Sequence, residues 1–167
     1  GGGASSGTLS NCTLTANSAV KGGGGAYQCT MDSCTLNCNW GATNGGGVGG
    51  GSLNNCLLTD NSATYRGGAS GGTLIHCTLS NNWAGYSGGG AFVGSLTNCT
   101  ITANTAEFGG GVSLEQGNAD NCIITGNSAT WAGGAYAARL NNCLLAENQA
   151  FWGGGAYYST LLNCTLA

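Results

Sequence analysis

The chain has 167 residues, of which 34 are glycine and none is proline, and charged residues make up only 5% of it. This composition excludes collagen-like and proline-rich chains, and it argues against disorder because disordered segments are usually rich in charge. The net charge of −3 with three basic residues provides no surface for nucleic acid, and no apolar run reaches the roughly 18 residues that a membrane span needs.

A cysteine recurs every 21 to 23 residues from one end of the chain to the other. A fixed period of this size predicts a solenoid, in which each repeat forms one coil stacked on the last. The cysteine row consists of Cys12, Cys34, Cys56, Cys77, Cys99, Cys122, Cys143 and Cys164.

Each cysteine is predicted to lie on a short, half-buried strand. A leucine or isoleucine follows the cysteine by two residues, and an apolar residue precedes it by three. Side chains two residues apart share one face of a strand, so the cysteine and the leucine face the interior. The residues between and after them, such as Thr100 and Thr102, face outward.

An asparagine stands five residues after the cysteine wherever the coil continues that far. Asparagine tolerates left-handed backbone, which predicts a turn here, and stacked turns would let the amides bond to one another in a ladder. The asparagine row consists of Asn17, Asn39, Asn61, Asn82, Asn104, Asn127 and Asn148.

Aromatic residues follow in the later coils, at the same place in each. Equivalent rings in neighbouring coils would lie about 4.8 Å apart, close enough for offset stacking. The aromatic row consists of Tyr65, Tyr86, Phe108, Trp131 and Trp152.

A glycine cluster ending in alanine or valine closes each coil and predicts a sharp corner. From that small residue to the next cysteine there are eight residues in every coil except the one from Val112 to Cys122, which has ten. The longer stretch contains Glu115, Gln116 and Gly117 and predicts a surface loop, with a binding loop as the alternative.

These elements predict an all-β chain, a right-handed parallel β-helix of about eight coils of 21–23 residues. We expect residues 1–167 to form a single domain without a cap at either end, since the sequence opens inside the repeat and stops within a coil. We expect either one piece of a longer solenoid or subunits that associate head to tail through their terminal coils into a filament.

The repeat string reads Leu-x-x-Asn-Ser-Ala-x-x-x-Gly-Gly-Ala and is clearest over residues 58–69 and 124–135, where isoleucine takes the first place in the second copy. It resembles the repeats of chlamydial polymorphic outer-membrane proteins, which pair a Phe-x-x-Asn element with a Gly-Gly-Ala-Ile/Leu/Val element. The resemblance implies a parallel β-helix that acts as a surface adhesin, the passenger of a secreted autotransporter.

The cysteine row allows three interpretations. Side chains stacked in register point the same way, which rarely suits the disulfide torsion of about 90°, and a straight row does not converge on a metal. We expect a stack of free thiols that pack as small apolar side chains. Cys29 and Cys38 stand outside the row, and for them a mutual disulfide, a bond to another subunit, a zinc site and unpaired thiols all stay open.

No catalytic, cofactor-binding or metal-binding residue is predicted. His76 is the only histidine and replaces an asparagine of a polar row, and the acidic residues are spread over different coils. Polysaccharide lyases and hydrolases share this fold and need clustered acids, so a polysaccharide-processing enzyme is only an alternative.

Outward threonines provide a further alternative, because regularly spaced threonines are typical of an ice-binding face. One row holds Thr13, Thr35, Thr78, Thr100 and Thr165, and the other holds Thr15, Thr59, Thr102 and Thr125. Apolar residues interrupt the first row, and threonine is also simply a good strand residue.

The leading expectation is a non-enzymatic, extracellular or cell-surface β-helix with a structural or adhesive role. It needs no cofactor, its partners are further copies of itself and a surface or glycan ligand, and it neither binds nucleic acid nor spans a membrane.

Overall fold

The computed structural model of the chain describes residues 1–92, 94–115 and 117–167. Within these residues the fold is all-β without a helix, and every strand pairs in parallel with the equivalent strands of the neighbouring coils. The strands form three sheets, so the predicted solenoid is confirmed with about seven turns. No helix in the described part of the chain could cross a membrane. The right-handed sense of the coil stays a prediction.

Sheet A contains the strands that precede the cysteine row. Its strands are Ala4–Ser5, Thr8–Ser10, Ala26–Asp32, Val48–Asn54, Ala69–Ser70, Thr73–Ile75, Ala91–Phe92, Ser95–Thr97, Val112–Ser113, Asn118–Asp120, Ala135–Tyr136, Arg139–Asn141, Ala156–Tyr157 and Thr160–Leu162.

Sheets B and C complete each coil. The strands of sheet B, which follow the cysteines, are Thr13–Thr15, Thr35–Asn37, Leu57–Thr59, Thr78–Ser80, Thr100–Thr102, Ile123–Thr125, Leu144–Ala146 and Thr165–Leu166. The strands of sheet C, which follow the asparagines, are Ser18–Ala19, Trp40–Gly41, Ser62–Ala63, Trp83–Ala84, Thr105–Phe108, Ser128–Trp131 and Gln149–Trp152.

The core is a set of rows that run along the solenoid axis. Leu58 pairs in register with Leu36 on one side and Leu79 on the other, and all three are fully buried. The thiol of Cys77 and the side chain of Leu74 are equally hidden. Each interior position is therefore filled by the same kind of side chain in successive coils. The repeat in the sequence thus reflects the packing of the core.

Left-handed backbone recurs at both ends of the sheet B strands, and it also occurs within sheet A, as at Gln28 and Ala137, and at the glycine corner of some coils, as at Gly109. At the corner between sheets A and B, the residue before each cysteine has φ between 51° and 55°. At the corner between sheets B and C, the left-handed residue is the one before each asparagine of the asparagine row, for example Asp60 or Asn81. The prediction of left-handed backbone at the asparagines themselves is therefore wrong by one residue, because their side chains turn inward and need strand-like backbone at that point.

The third corner, between sheets C and A, consists of buried glycines. A Cβ atom on Gly46 would lie 2.3 Å from the carbonyl oxygen of Ser62 in the next coil, and one on Gly110 would lie 2.3 Å from that of Ser128. Only glycine allows the backbones of neighbouring coils to approach this closely. These glycine positions therefore carry no side chains, because the neighbouring backbone occupies the space.

The longer stretch contributes to the core as well as to the surface. Leu114 is buried, and its carbonyl accepts a hydrogen bond of 2.8 Å from the backbone N–H of Gly117, which closes a turn. Glu115 is exposed. Gln116, which belongs to the predicted loop, lies outside the described residues.

Candidate functional site

Two rows of side chains flank the glycine corner. The aromatic row (Tyr65, Tyr86, Phe108, Trp131 and Trp152) lies where sheet C ends. A second aromatic row lies where sheet A begins, one residue after the alanine that ends the glycine cluster, and it consists of Tyr27, Phe92, Tyr136 and Tyr157. Gly49, Ser70 and Ser113 interrupt the second row, and the two rows border separate cavities at this corner.

The rings of the aromatic row stack from coil to coil. Phe108 and Trp131 have centroids 6.3 Å apart with ring planes 8° from parallel, and Trp131 and Trp152 have centroids 5.7 Å apart at 15°. Tyr86 continues the row at 5.2 Å from Phe108 but is tilted by 55°. Phe108, Trp131 and Trp152 lie in register. The residue of the preceding coil that pairs with Phe108 is Ser87, so Tyr65 and Tyr86 lie one residue out of register with the later rings.

The second row meets the first across the corner. The rings of Phe108 and Tyr136 lie 5.4 Å apart, and those of Trp131 and Tyr157 lie 5.6 Å apart. Together with Tyr158, these four residues line an open cavity of about 280 Å³, which we call the aromatic cleft. All of its side chains are uncharged, and its polar atoms include the three tyrosine hydroxyls.

A more polar cavity of about 380 Å³ lies at the same corner, on the earlier coils. Arg66 donates a hydrogen bond of 2.9 Å to the side-chain oxygen of Asn44, and its guanidinium carbon lies 4.3 Å from the centroid of the Phe92 ring. Tyr65 and Glu115 also line this cavity. The guanidinium is thus held by an amide and an aromatic face, with a carboxylate in the same cavity.

The asparagine row lies inside the solenoid and is structural. Asn61 donates from Nδ2 to the Oδ1 of Asn82 at 3.1 Å and to the carbonyl oxygen of Leu36 at 2.9 Å. The same hydrogen bonds recur from coil to coil, and the middle asparagines are completely buried. Each amide therefore joins its own coil to both neighbours, as the predicted ladder requires.

The cysteine row consists of free thiols, and all but the two at its ends are buried. Each thiol donates to the carbonyl two residues before it, as Cys56 does to Asn54 at 3.2 Å. Burial raises the pKa of Cys34. Hydrogen bonding between neighbouring thiols raises the pKa of Cys77 and lowers that of Cys56 to about 7.

Cys29 and Cys38, the pair outside the row, lie on different elements. Cys29 is buried in the strand Ala26–Asp32, whereas Cys38 is exposed at the left-handed corner before sheet C. Both are free thiols, so the structure does not contain the disulfide that was one of the alternatives for this pair.

Asp32, Asp60, Asp120 and the histidine have local hydrogen-bond partners. Asp32 accepts hydrogen bonds from Asn54 at 2.8 Å and Ser33 at 3.0 Å, and these lower the pKa of its carboxyl group. A ring nitrogen of His76 lies 3.1 Å from the amide of Asn98. Among the described residues, no group of three or more His, Cys, Asp or Glu side chains is placed to hold a metal.

The outward threonines lie on sheet B in register. Thr78 pairs with Thr100, and Thr102 pairs with Thr125 in the following coil. Leu57, Ile123 and Leu144 interrupt the first row and are 37%, 44% and 38% exposed. Sheet B therefore presents threonine together with apolar side chains.

The sequence pattern correctly aligns Phe108, Trp131 and Trp152, but it aligns Tyr65 and Tyr86 with them, whereas the structure places Arg66 and Ser87 in that register. It misses the second row. Its signal is present, because an aromatic residue follows the corner alanine at Tyr27, Phe92, Tyr136 and Tyr157. Glycine or serine takes this place in the coils between them, so the residues do not form an uninterrupted column in the sequence. The coiled geometry brings the two rows together.

No protein-family model matches this chain, and no curated protein matches it significantly.

Proposed function

We propose that the chain is a non-enzymatic, extracellular β-solenoid with a structural and adhesive role at a surface. The observation that carries the proposal is the exposed aromatic wall on an internally bonded scaffold: Tyr65, Tyr86 and Trp152 are 53%, 52% and 49% exposed. Large aromatic side chains that a soluble chain leaves exposed in a contiguous patch are typical of interaction sites.

The repeat string supports the same proposal. Its resemblance to the repeats of chlamydial polymorphic outer-membrane proteins implies adhesion at a cell surface. A rigid rod that carries a binding position in each of its later coils would present several contacts in a line, which strengthens attachment through multivalency.

Attachment of coated beads tests the adhesive role. We expect beads coated with this chain to attach to epithelial cells, bacterial cells or films of matrix protein in greater number than beads coated with albumin. Attachment no greater than that of albumin on all these surfaces would contradict the proposal.

The non-enzymatic part of the proposal has its own measurement. Incubation with soluble polysaccharides is expected to release no new reducing ends or unsaturated products. Release of either, abolished by a substitution such as Asp120→Asn, would replace the proposal with the polysaccharide-processing alternative.

Head-to-tail association is the part of the proposal that concerns self-assembly. Leu166 is 58% exposed, whereas its equivalents Leu145 and Ile124 are covered by the next coil. Either further chain or a second copy would cover it in the same way. Sedimentation velocity at increasing concentration is expected to show growing species, and a constant monomer would contradict association by this chain alone.

Ice binding is a second candidate, favoured by the threonines that lie in register on sheet B. A parallel sheet holds its outward side chains in a regular two-dimensional array. Thermal hysteresis would be measured, with Thr100→Tyr as the variant that disturbs the array. A solution that freezes at its equilibrium melting point would remove this candidate.

A further inference from the structure

The cavity of about 380 Å³ on the earlier coils, which we call the Arg66 cavity, contains a cation and an anion that do not pair with each other. Arg66 and Glu115 both line it, yet in the described part of the chain neither takes part in an ion pair. The chain has only three basic and six acidic residues, so few of its surface positions are charged. An unpaired cation and an unpaired anion in one concave site favour a ligand that carries both charges.

The guanidinium of Arg66 is held in place and keeps donors for a ligand. Its Nη1 donates to the Oδ1 of Asn44 at 2.9 Å, and its central carbon lies 4.3 Å from the centroid of the Phe92 ring. A guanidinium has several N–H donors in a planar fork, so the bond to Asn44 leaves most of them for another partner. The side-chain nitrogen of Asn44 provides further donors, because Arg66 uses only the oxygen of that amide. Such a set of donors fits a carboxylate.

Other groups in the Arg66 cavity accept hydrogen bonds. Glu115 is exposed, and its carboxylate can only accept. The hydroxyl of Thr43 already donates to the carbonyl oxygen of Val20 at 3.3 Å, so towards a ligand it can also only accept. A primary ammonium group has three N–H donors and fits these acceptors, whereas a quaternary ammonium group has no N–H to donate.

A second pair of opposite charges provides a contrast. Asp120 and Arg139 line a smaller cavity of about 210 Å³ at sheet A. Asp120 accepts hydrogen bonds from the side chains of Asn118 and Asn141, so its carboxylate already has partners within the chain. Among the described residues no side chain donates to Glu115 in this way, and its carboxylate is therefore available to a ligand.

We propose that the Arg66 cavity binds an α-amino acid as its zwitterion, with the carboxylate on Arg66 and Asn44 and the ammonium group on Glu115. A ligand with only a negative charge would meet the carboxylate of Glu115, and a ligand with only a positive charge would meet Arg66. The volume of the cavity lies in the range of roughly 300–1,000 Å³ that is usual for small-ligand sites, so there is room for a side chain as well. The proposal goes beyond the adhesive function and does not depend on it.

Saturation-transfer NMR titrations with glycine, L-alanine, L-leucine and L-phenylalanine test the binding. We expect at least one of these amino acids to bind. Its N-acetyl derivative and its amide derivative each lack one of the two charges, and both are expected to bind at least tenfold more weakly. The absence of binding by all four amino acids, or equal binding of either derivative, would overturn the proposal. Tighter binding of glycine betaine than of glycine would also overturn it, because the nitrogen of betaine has no N–H.

Variants that remove one charge locate the site. Arg66→Gln and Glu115→Gln are each expected to lose about tenfold or more in affinity, since each loses a hydrogen bond to a charged group. Arg139→Gln and Glu107→Gln are the matched controls, because Arg139 lines a different cavity and Glu107 is exposed on the strand Thr105–Phe108 of sheet C. Wild-type affinity in either cavity variant, or an equal loss in the controls, would overturn the proposal.

Far-ultraviolet circular dichroism checks that each variant folds. Glu115→Gln changes an exposed side chain and keeps its size, so it is expected to fold as the wild type does and carries the test even if Arg66→Gln misfolds. Arg66→Lys keeps the charge but loses the planar fork, and we expect it to bind several-fold more weakly than the wild type and more tightly than Arg66→Gln. Binding of Arg66→Lys no tighter than that of Arg66→Gln, with both variants folded, would overturn the placing of the ligand's carboxylate on this cation.

Discussion

The side chain of Asn104 contacts three successive coils. Its Nδ2 donates to the carbonyl oxygen of Leu79 at 2.9 Å and to the Oδ1 of Asn127 at 3.0 Å. Its own Oδ1 accepts from the backbone N–H and the Nδ2 of Asn82 at 2.9 and 3.0 Å. Every polar atom of the amide thus has a partner although the residue is fully buried, and this is the condition under which a buried polar row stabilises a core.

Substitution of Asn104 by alanine is expected to be strongly destabilising. It would leave the carbonyl of Leu79 and the donors of Asn82 buried without their partners, and each such group costs about 1–3 kcal/mol. We expect the free energy of unfolding, measured with guanidinium chloride, to fall by about 3 kcal/mol or more. Asn37→Thr is the control, because Asn37 faces outward where Thr15 and Thr59 stand in neighbouring coils, and it should change little.

We expect the reactivity of each thiol to depend on its access to solvent rather than on its pKa. Cys38 is exposed, Cys12 and Cys164 are half-buried, and the other cysteines are buried. Although the pKa of Cys56 is lowered to about 7, its side chain is only 2% exposed, so a reagent cannot reach its thiolate.

With Ellman's reagent we therefore expect one fast thiol in the native chain, lost in Cys38→Ser, and two slower ones. The remaining thiols should react only in denaturant. A native chain in which Cys56 reacts as fast as Cys38, or in which the total after denaturation falls below ten thiols, would contradict the free, packed row.

At the scale of the element, the corners place different requirements on backbone conformation and side-chain size. Two corners of each coil need one left-handed residue, and this need is met by asparagine, aspartate or even alanine at a modest cost. The glycine corner needs the absence of a side chain, because the backbone of the next coil occupies the space. This requirement is steric, and only glycine meets it.

Gly110→Ala tests the glycine corner. The added Cβ atom would lie 2.3 Å from the carbonyl oxygen of Ser128, and overpacking of this kind costs about 1–3 kcal/mol. We expect a lower melting temperature in circular dichroism. Gly7→Ala is the matched control, since its nearest contact would be 3.9 Å away and its residue is exposed. A stable Gly110→Ala chain would show that the corner can open without cost.

At the scale of the whole molecule, each coil contacts only its neighbours. The stability of the rod is therefore approximately the sum of the contributions of single coils and of the contacts between neighbouring coils. The interior rows are completely buried in the middle coils, as at Leu58 and Ile101, and only partly buried in the outer coils, as at Leu9 and Leu161. The outer coils therefore bury less apolar surface, and opening them costs less free energy.

Hydrogen exchange is expected to reflect this gradient. Amides of Thr78–Ser80 and Thr100–Thr102 should exchange slowest, and those of Thr13–Thr15 and Thr165–Leu166 should exchange first through local opening. Equal protection in all strands of sheet B would indicate that the rod opens as one cooperative unit.

Much of the fold could be predicted because one period places every row. Once Cys56 and Leu58 were assigned to the interior, their equivalents in other coils followed, and so did the register of sheet B. The exact left-handed residue could not be predicted, because asparagine stands at both corners. Asn55, just before Cys56, is left-handed, whereas Asn61, five residues after Cys56, turns its side chain inward and donates to Asn82.

The candidate site could be predicted only in part, because it depends on contacts between coils. The ring of Tyr136 touches Phe108 of the preceding coil, and Arg66 lies over Phe92, which is 26 residues further along the chain. Such diagonal contacts depend on how the glycine corner folds back, and no column of the repeat contains both partners.

The strict register of the interior rows has a consequence for how a gene of this kind can change. An insertion of one residue inside a strand would turn every following side chain to the opposite face of its sheet. Removal or duplication of one complete coil instead joins equivalent positions and leaves cysteine above cysteine and asparagine above asparagine. We therefore expect recombination between neighbouring repeats to lengthen or shorten such rods in whole coils, while changes of one or two residues survive only at corners, as in the stretch from Val112 to Cys122.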